Sequence, residues 1–466
     1  MGWDQKPGFL RIRCRLGSDR VEQTIRRDCR SDIRFVQILL LCADRQFNLS
    51  LVYRLSIMEW FLTMAIAFSF LLSIPSLIFC VLVALFLVEV CAAVASFPNF
   101  GRASLASGAG AAQQIAVLIP AHNESAGIVP TISDAKAQLG SQGDVFVVAD
   151  NCSDDTAAVA HAAGAKVVPR DDLTKKGKGY ALAWGLRELQ KAPPDIVVIV
   201  DADCRMGEGM LAELVRACLS AQRPVQALDL MTAPTGTSIN FNAMEFAWRV
   251  KNWARPLGLK TLGMPCHLMG TGMAFPWRII QSVELASGSL VEDLKLGLEL
   301  ASTGNAALFC PSATVTSEFP TTQVGVQTQR QRWERGHLGI ISSLIPQLIF
   351  RAVKQANLGL LVLALDAAIP PLSLLGAITA MMVCITGLAS TLGASSAPLF
   401  ISFAGLAGFA VAVFLSWMKF GRDLLPLSKI HLLFWYVLMK LPAYVTLASG
   451  RSQTGWERAD RRKTPP

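Results

Sequence analysis

The run Ile196-Val197-Val198-Ile199-Val200 is five β-branched apolar residues without a polar interruption, and it ends at once in Asp201-Ala202-Asp203. A continuous run of this kind is a strand buried on both faces, which belongs in a parallel sheet between layers of helices. Two carboxylates one residue apart at the carboxyl end of such a strand lie in the crevice where open α/β sheets bind ligands. Their oxygens suit a hard divalent cation, Mg²⁺ or Mn²⁺, shared with a ligand's phosphates. A plain helix cap by Asp203 is the competing reading, and the rest of the chain has to decide between them.

The flanking sequence extends the βα pattern. Apolar runs at 116–119, 145–148 and 166–168 alternate with helical stretches near 125–138, 155–163 and 179–190, which predicts a doubly wound parallel sheet with right-handed crossovers. Beyond Asp203 a helix near 208–220, an extended run at 224–231 and a long helix near 240–255 predict a second, mixed subregion.

A hydrophobic fraction of 52% and a mean hydropathy of +0.42 exceed those of a soluble globular chain, so membrane spans are expected. Residues 60–97 are almost wholly apolar, carry one acid, Glu89, and are broken by Pro75. As one helix they would reach about 57 Å against a hydrocarbon core of roughly 30 Å. A hairpin turning near Ser73 to Ser76 fits, and a kinked helix with one interfacial part is its rival. Residues 372–392 and 398–418 form a second apolar pair, flanked on one side by Arg351, Lys354, Lys419 and Arg422, which places both ends in the cytoplasm. About four spans are expected in all. Segments 340–357 and 428–448 read as interfacial amphipathic helices.

The predicted organisation is therefore a basic arm at 1–57, transmembrane segments at 58–100, a Gly/Ala/Ser-rich linker at 101–114 and a soluble domain at 115–340. An interfacial helix and linker follow at 341–371, a transmembrane hairpin at 372–418, and an interfacial helix with a basic tail at 419–466. The arm holds about eleven Lys and Arg against six Asp and Glu; it is either a true cytoplasmic arm or an extension ahead of a natural start at Met58. The formal charge of +9 gathers at the two ends and beside apolar runs, a pattern for a membrane surface and against nucleic acid. The eleven cysteines show no zinc or disulfide spacing and read as reduced thiols.

Three more constellations fall at the edge that carries Asp201. Pro120-Ala121-His122-Asn123-Glu124 follows the first strand, and Asp150-Asn151-Cys152-Ser153-Asp154-Asp155-Thr156 follows the second. Asn123 or Ser125 could cap the first helix, while Ser153, Asp154 and Asp155 are expected to cap and charge the second, leaving Asp150 as a ligand group. Lys175-Lys176-Gly177-Lys178-Gly179 lacks Walker spacing but suits an anion at a helix start. Further on come Gly270-Thr271-Gly272, Val291-Glu292-Asp293 and Gln329-Arg330-Gln331-Arg332-Trp333.

Taken in order, these motifs resemble the family 2 inverting glycosyltransferases of the nucleotide-diphospho-sugar transferase (GT-A, Rossmann-like) fold, over about residues 115–340. The membrane-flanked layout is similar to cellulose, hyaluronan and poly-N-acetylglucosamine synthases. The resemblance implies that Glu124 and Asp150 hold the nucleoside, Asp201 the ribose or sugar, and Asp203 a divalent cation on the donor's phosphates. It implies that Asp293 is the general base, that Gln329, Arg332 and Trp333 close over donor and acceptor, that Lys178 lies on the donor side, and that Gly270, Thr271 and Gly272 form an acceptor loop. The expected donor is a nucleotide diphosphate sugar, and the acceptor a glycan or lipid-linked molecule. The expected setting is the cytoplasmic face of an inner membrane, in exopolysaccharide or envelope glycan synthesis, alone or with other synthase subunits. A ceramide-glucosyltransferase-like glycolipid synthase and a non-catalytic donor-binding subunit are the alternatives.

Overall fold

The structure is a computed structural model and describes residues 5–6, 9–16, 19–26, 31–96, 113–235, 241–285 and 291–431, with 435, 437, 440 and 444. The linker at 101–112 and the tail from 445 onward lie outside the described residues. The chain divides into two compact units, Met1–Leu72 with Ala389–Ser395, and Ser73–Leu388 with Ser396–Pro466.

In the first unit, β1 (Gln5–Lys6), β2 (Phe9–Leu16) and β3 (Asp19–Arg26) form a small antiparallel sheet. Part of the basic arm is thus strand, although its sequence shows little alternation. Helix α1 (Ser31–Ala95) follows and stays helical through Pro75. The reversal expected near Ser73 to Ser76 is not formed. A proline removes one backbone hydrogen bond, and in an apolar span neighbouring groups absorb that loss without ending the helix.

In the second unit the strands are β4 (Ile115–Ala121), β5 (Gly143–Asp150), β6 (Lys166–Arg170), β7 (Ile196–Ile199), β8 (Arg205–Met206), β9 (Val225–Thr232), β10 (Met273–Pro276) and β11 (Leu308–Glu318). They make one eight-stranded sheet among the described residues, in the order β6-β5-β4-β7-β10-β9-β11-β8. The expected parallel block is present: β4 pairs in parallel with both β5 and β7, and β5 with β6. The other half is mixed, because β10 runs antiparallel between β7 and β9 while β11 lies parallel to β9.

Alternate residues of each strand feed two cores, as a period of two requires. Val117, Ile119, Val198 and Val200 pack beneath α2 (Ile128–Leu139), α3 (Thr156–Ala162) and α5 (Met210–Ala221). Leu118, Val197 and Ile199 pack against α4 (Lys178–Leu189), α8 (Trp277–Ile280) and α9 (Glu292–Ser302); in chain order α6 (Asn242–Arg249) and α7 (Arg255–Thr261) come between α5 and α8. A π-helical turn, Val250–Ala254, joins α6 to α7; the long helix expected near 240–255 is therefore interrupted by one widened turn.

Helices α10 (Gln323–Ser343) and α11 (Ile345–Lys354) meet at a 46° bend. They are followed by the short buried α12 (Leu358–Ala367) and by α13 (Leu372–Thr391) and α14 (Ala397–Phe420). Among the described residues three helices are long and apolar enough to cross a membrane, Ser56–Ala95, α13 and α14, or four if the bent pair is one span. Phe350 and Val353 of α11 are exposed, as an interfacial helix requires. Lys440 and Tyr444 turn inward instead: Lys440 Nζ meets Glu334 at 2.9 Å and the Tyr444 hydroxyl meets Ser373 at 2.6 Å.

Within the second unit α1 is tied to the rest by polar contacts that are scarce in an apolar span. Ser402 Oγ donates to Ser76 Oγ at 3.0 Å, and the Lys419 ammonium donates to the carbonyls of Ala93 and Ser96 at 2.6 and 2.9 Å, closing the helix end. Arg255 bridges Glu89 of α1, at 3.1 Å, and Asp366 of α12. Gly258 of α7 crosses α1 so closely that a side chain there would overlap the Glu89 carbonyl.

Candidate active site

The strand ends open into one cavity of about 480 Å³. Its walls include Glu124, Asp150, Lys178, Asp201, Asp203, Gly270, Thr271, Asp293, Gln329, Arg332 and Trp333, so eleven of the twelve residues proposed from the sequence converge. Gly272 does not line it. Its φ of +64° and its contact distances toward Ala227 and Val315, 2.8 and 2.9 Å for an added Cβ, show a glycine required by the sheet beneath the loop.

At one end Asp150 closes β5, where its buried carboxylate takes the Arg170 guanidinium, which also donates to the Lys175 carbonyl at 2.9 Å. Burial raises the Asp150 pKa against the pull of Arg170. His122 Nδ1 lies 2.7 Å from the Asp150 carbonyl. Of the residues expected at the start of α3, Asp154 does take its first N–H, from Thr156, and Asp155 sits at the cap position without a side-chain bond, whereas the Ser153 hydroxyl donates to Asn123 Oδ1 at 3.3 Å. Asp154 staples the two loops, accepting from Ser125 N and Oγ at 3.2 and 2.7 Å and from Thr156 N at 3.1 Å. Burial opposes ionisation there, but these donors outweigh it and bring its pKa down to about 2. Neither Asn123 nor Ser125 caps α2, whose cap position is Gly127.

In the middle, the Lys178 ammonium pairs with Asp201 and donates to the Gly270 carbonyl at 2.8 Å. Burial works against its charge, but Asp201, Glu292 and Asp293 together raise its pKa. The loop over this pair hangs on Gln226, a fully buried side chain of β9. Its amide donates to the Thr271 carbonyl at 2.8 Å and its oxygen accepts from Met269 N at 2.8 Å. The Thr271 hydroxyl then accepts from Asp201 N at 3.1 Å. Gly270 has φ +97°, and a methyl added there would stand 3.2 Å from Asp293 Oδ2 and 3.6 Å from Lys178 Nζ. Gly270→Ala is therefore expected to displace Asp293, the residue expected from the sequence to act as base, and to lower kcat about 10- to 100-fold while nucleotide affinity stays within a factor of a few. Steady-state kinetics beside nucleotide titration would test this, and an unchanged kcat would refute the tight packing.

At the far end α9 begins with Glu292 and Asp293, where the helix dipole favours carboxylates. Burial and the neighbouring Asp293 raise the Glu292 pKa to about 7. Helix α10, capped by Thr322 accepting from Gly325 N at 3.0 Å, brings in Gln329, Arg332 and Trp333. Trp333 packs on Trp248 with ring centroids 5.0 Å apart. Burial lowers the Arg332 pKa against the attraction of Glu292, Asp201 and Asp293.

Several wall or supporting residues had no local motif: Arg170, Gln226, Asp229 and Asn252. A polar residue inside an apolar strand was the available signal for Gln226 and Asp229. Cys152 and Cys204 lie beside the acids, and burial raises both thiols, which leaves them unsuited to nucleophilic work.

The family model described as glycosyltransferase like family 2 matches residues 112–336. Protein RfbJ of Shigella flexneri is 32% identical over 108 residues, 23% of this chain and 78% of that protein. The chain belongs to the family 2-like glycosyltransferases. Its matched region holds every residue of the cavity discussed so far, and the family's GT-A fold accounts for the parallel block and the mixed half of the sheet. The probable glycosyltransferase YdaM of Bacillus subtilis (strain 168) is 26% identical over 250 residues, 50% of this chain and 57% of that protein; the match thus spans little more than half of YdaM. Among solved structures, glucosyl-3-phosphoglycerate synthase from Mycobacterium tuberculosis, in complex with Mn²⁺, UDP and glucosyl-3-phosphoglycerate, aligns with 49% of this chain and 79% of its own, at 23% identity and a TM-score of 0.35.

Proposed function

We propose that this protein is a membrane-bound inverting glycosyltransferase that moves a sugar from a nucleotide diphosphate donor to a membrane-associated glycan or lipid-linked acceptor. The observation that supports it most is the single cavity that gathers Asp150, Asp201, Asp203, Asp293 and Arg332 from four separate segments of the fold. In this reading Glu124 and Asp150 bind the nucleoside, and Asp201, held by Lys178, orients the ribose or sugar. The donor set at Asp203 fits Mg²⁺ or Mn²⁺. Hard carboxylate oxygens are present there, at Asp203 and the neighbouring Asp201. That suits a cation completed by donor phosphates. When bound, the cation would neutralise charge on the departing diphosphate.

The protein's own groups do the rest. Asp293 takes the proton of the acceptor hydroxyl as its oxygen forms a bond to the anomeric carbon. The bond from that carbon to the diphosphate oxygen breaks, and the nucleoside diphosphate leaves with the electron pair. Attack from the face opposite the leaving group inverts the centre, by the same logic as in inverting glycosidases. Arg332 stands where negative charge builds, and a guanidinium stays protonated there despite burial. Exopolysaccharide or envelope glycan assembly at the cytoplasmic face of the inner membrane is the proposed setting. The basic residues Arg351, Lys354 and Arg422 beside the apolar helices support that orientation.

The cavity also has apolar walls at Phe86, Ile369 and Leu372, near the membrane helices, which favours an acceptor carrying a lipid. The test is nucleotide diphosphate release by the full chain in detergent, with Mn²⁺ or Mg²⁺, across UDP-, GDP- and TDP-sugars and native membrane extract. Release with one donor, lost on chelation, is expected. A folded protein that binds none of these donors would overturn the proposal.

A further inference from the structure

One lysine in the cavity wall has no counter-charge and no part in the chemistry assigned so far. Lys251 comes from the π-helical turn, a departure from α-helix frequent at functional sites. It lines the cavity, and its side chain is exposed to that space. Among the described residues its amine makes no ion pair and stands 5.3 Å over the Trp248 ring instead. Burial lowers its pKa against the attraction of Asp293 and Asp229, with Arg255 adding to the lowering and Asp366 opposing it. Two of those acids are not free to balance it. Burial pushes Asp229 up to about 8, so near neutral pH that carboxyl is mostly uncharged, and Asp366 is taken by Arg255 and His267. Enclosed charges are paired in proteins because leaving them alone is costly, and an anion arriving beside Lys251 would favour its charged form.

Position narrows what that anion is. Arg332 feels Glu292, Asp201 and Asp293, whereas Lys251 feels Asp293, Asp229, Arg255 and Asp366. Asp293 is common to both sets, which puts Arg332 on the side of Asp201 and the donor, and Lys251 on the side of Asp366. Shortly after Asp366 the cavity wall becomes apolar at Ile369 and Leu372, with Phe86 of α1 also part of it. An anion held by Lys251 therefore has the proposed base within reach of its field and an apolar wall beside it, an arrangement for a lipid headgroup whose chain follows that wall. A phosphate so close to the Asp293 carboxylate would be repelled by it, and a lysine near both offsets the repulsion.

We infer that Lys251 binds the phosphate of an anionic lipid whose headgroup also carries the hydroxyl that receives the sugar. This rests on the transferase reading, and it narrows the acceptor from any membrane-associated molecule to a lipid with phosphate and hydroxyl in one headgroup. A neutral lipid or an uncharged glycan leaves Lys251 unmatched. The transfer step is unchanged: the headgroup hydroxyl loses its proton to Asp293 and bonds to the anomeric carbon, and the lipid's phosphate ester stays intact. Trp248 is a built-in reporter, because an anion that draws the Lys251 amine from its ring alters the surroundings of the indole.

The experiment is tryptophan fluorescence of the full chain in a nonionic detergent. It is titrated with mixed micelles of phosphatidylglycerol or phosphatidylinositol, whose headgroups hold both groups, and in parallel with diacylglycerol, glycerol 1-phosphate and inorganic phosphate; UDP and GDP are titrated separately. At least one of the two anionic lipids should saturate. Its apparent Kd should rise about tenfold or more in Lys251→Met and stay within about threefold of wild type in Lys251→Arg, as a charge-assisted contact requires, while UDP and GDP affinities are unchanged in both. Lys251→Gln covers the case in which Lys251→Met fails to fold. No saturation by either anionic lipid, equal affinity for diacylglycerol, or unchanged lipid affinity in the folded variants each overturns the inference. Equal affinity for glycerol 1-phosphate or inorganic phosphate would give the site to a soluble anion, and weakened UDP or GDP binding in Lys251→Met would give it to the donor; either result overturns the lipid. Failure of the wild type to bind UDP and GDP would instead strike the transferase reading, and the two failures are read on separate titrations.

Discussion

Asp293→Asn should lower turnover by about 10² to 10⁴, the range in which a positioned base contributes, with donor affinity nearly unchanged. The asparagine keeps the volume beside Gly270 and the cap region of α9, so the loop and Lys178 stay in place. What it loses is the capacity to accept a proton as the acceptor oxygen attacks. Its carboxylate also helps hold the Lys178 charge, but Asp201 makes the direct pair, and nucleotide binding should survive. Turnover and nucleotide titration on the same preparation separate these effects. Retention of more than a tenth of wild-type turnover would remove Asp293 from the role of base.

Arg255→Met is expected to cost about 3–5 kcal/mol of stability, the penalty for leaving buried charges unpaired. Arg255 is the shared partner of Glu89 and Asp366; it donates to the Asp366 carbonyl at 2.7 Å as well as to the two carboxylates. Burial disfavours charge on Asp366, yet Arg255 and His267 hold its pKa well below the usual carboxylate range. With the guanidinium gone, Asp366 of α12 keeps only His267 beside it and faces the Glu89 carboxyl of α1 without the cation that bridged them. Thermal unfolding in detergent should show a large fall in Tm, and Glu89→Gln with Asp366→Asn in the same chain should recover most of it, because neutral groups replace the stranded charges. A Tm within about 2 °C of wild type in Arg255→Met alone would mean that the cluster is not a structural tie.

Much of the catalytic half was legible because it is local. Strands β4, β5, β6 and β7 and the helices between them are each announced by a run of their own, and the acids follow those runs directly, so their convergence on one edge needed only the parallel order. The other half was written in distant pairings. Met273–Pro276 is four residues long, yet it inserts antiparallel between β7 and β9, and nothing in its own sequence states the partner. Gly272 was placed in the loop by its motif, whereas the close approach of Ala227 and Val315 decides its use. Pro75 misled for the opposite reason: a strong local breaker was overridden by the apolar helix around it. Asp229 and Asn252 fell between the motifs, and only the approach of the π turn to β9 brings them together, the Asn252 amide donating to Asp229 Oδ2 at 2.9 Å.

The crossing at Gly258 carries a consequence for how the enzyme senses its surroundings. Backbone meets backbone there, with no side-chain layer to deform, and Gly258 belongs to the helix that continues directly from the π turn bearing Asn252. Packed elements of this kind transmit displacement instead of absorbing it. In the proposed membrane-bound reading, a bilayer that changes the tilt of α1 to match its thickness acts on the cavity wall that the π turn supplies.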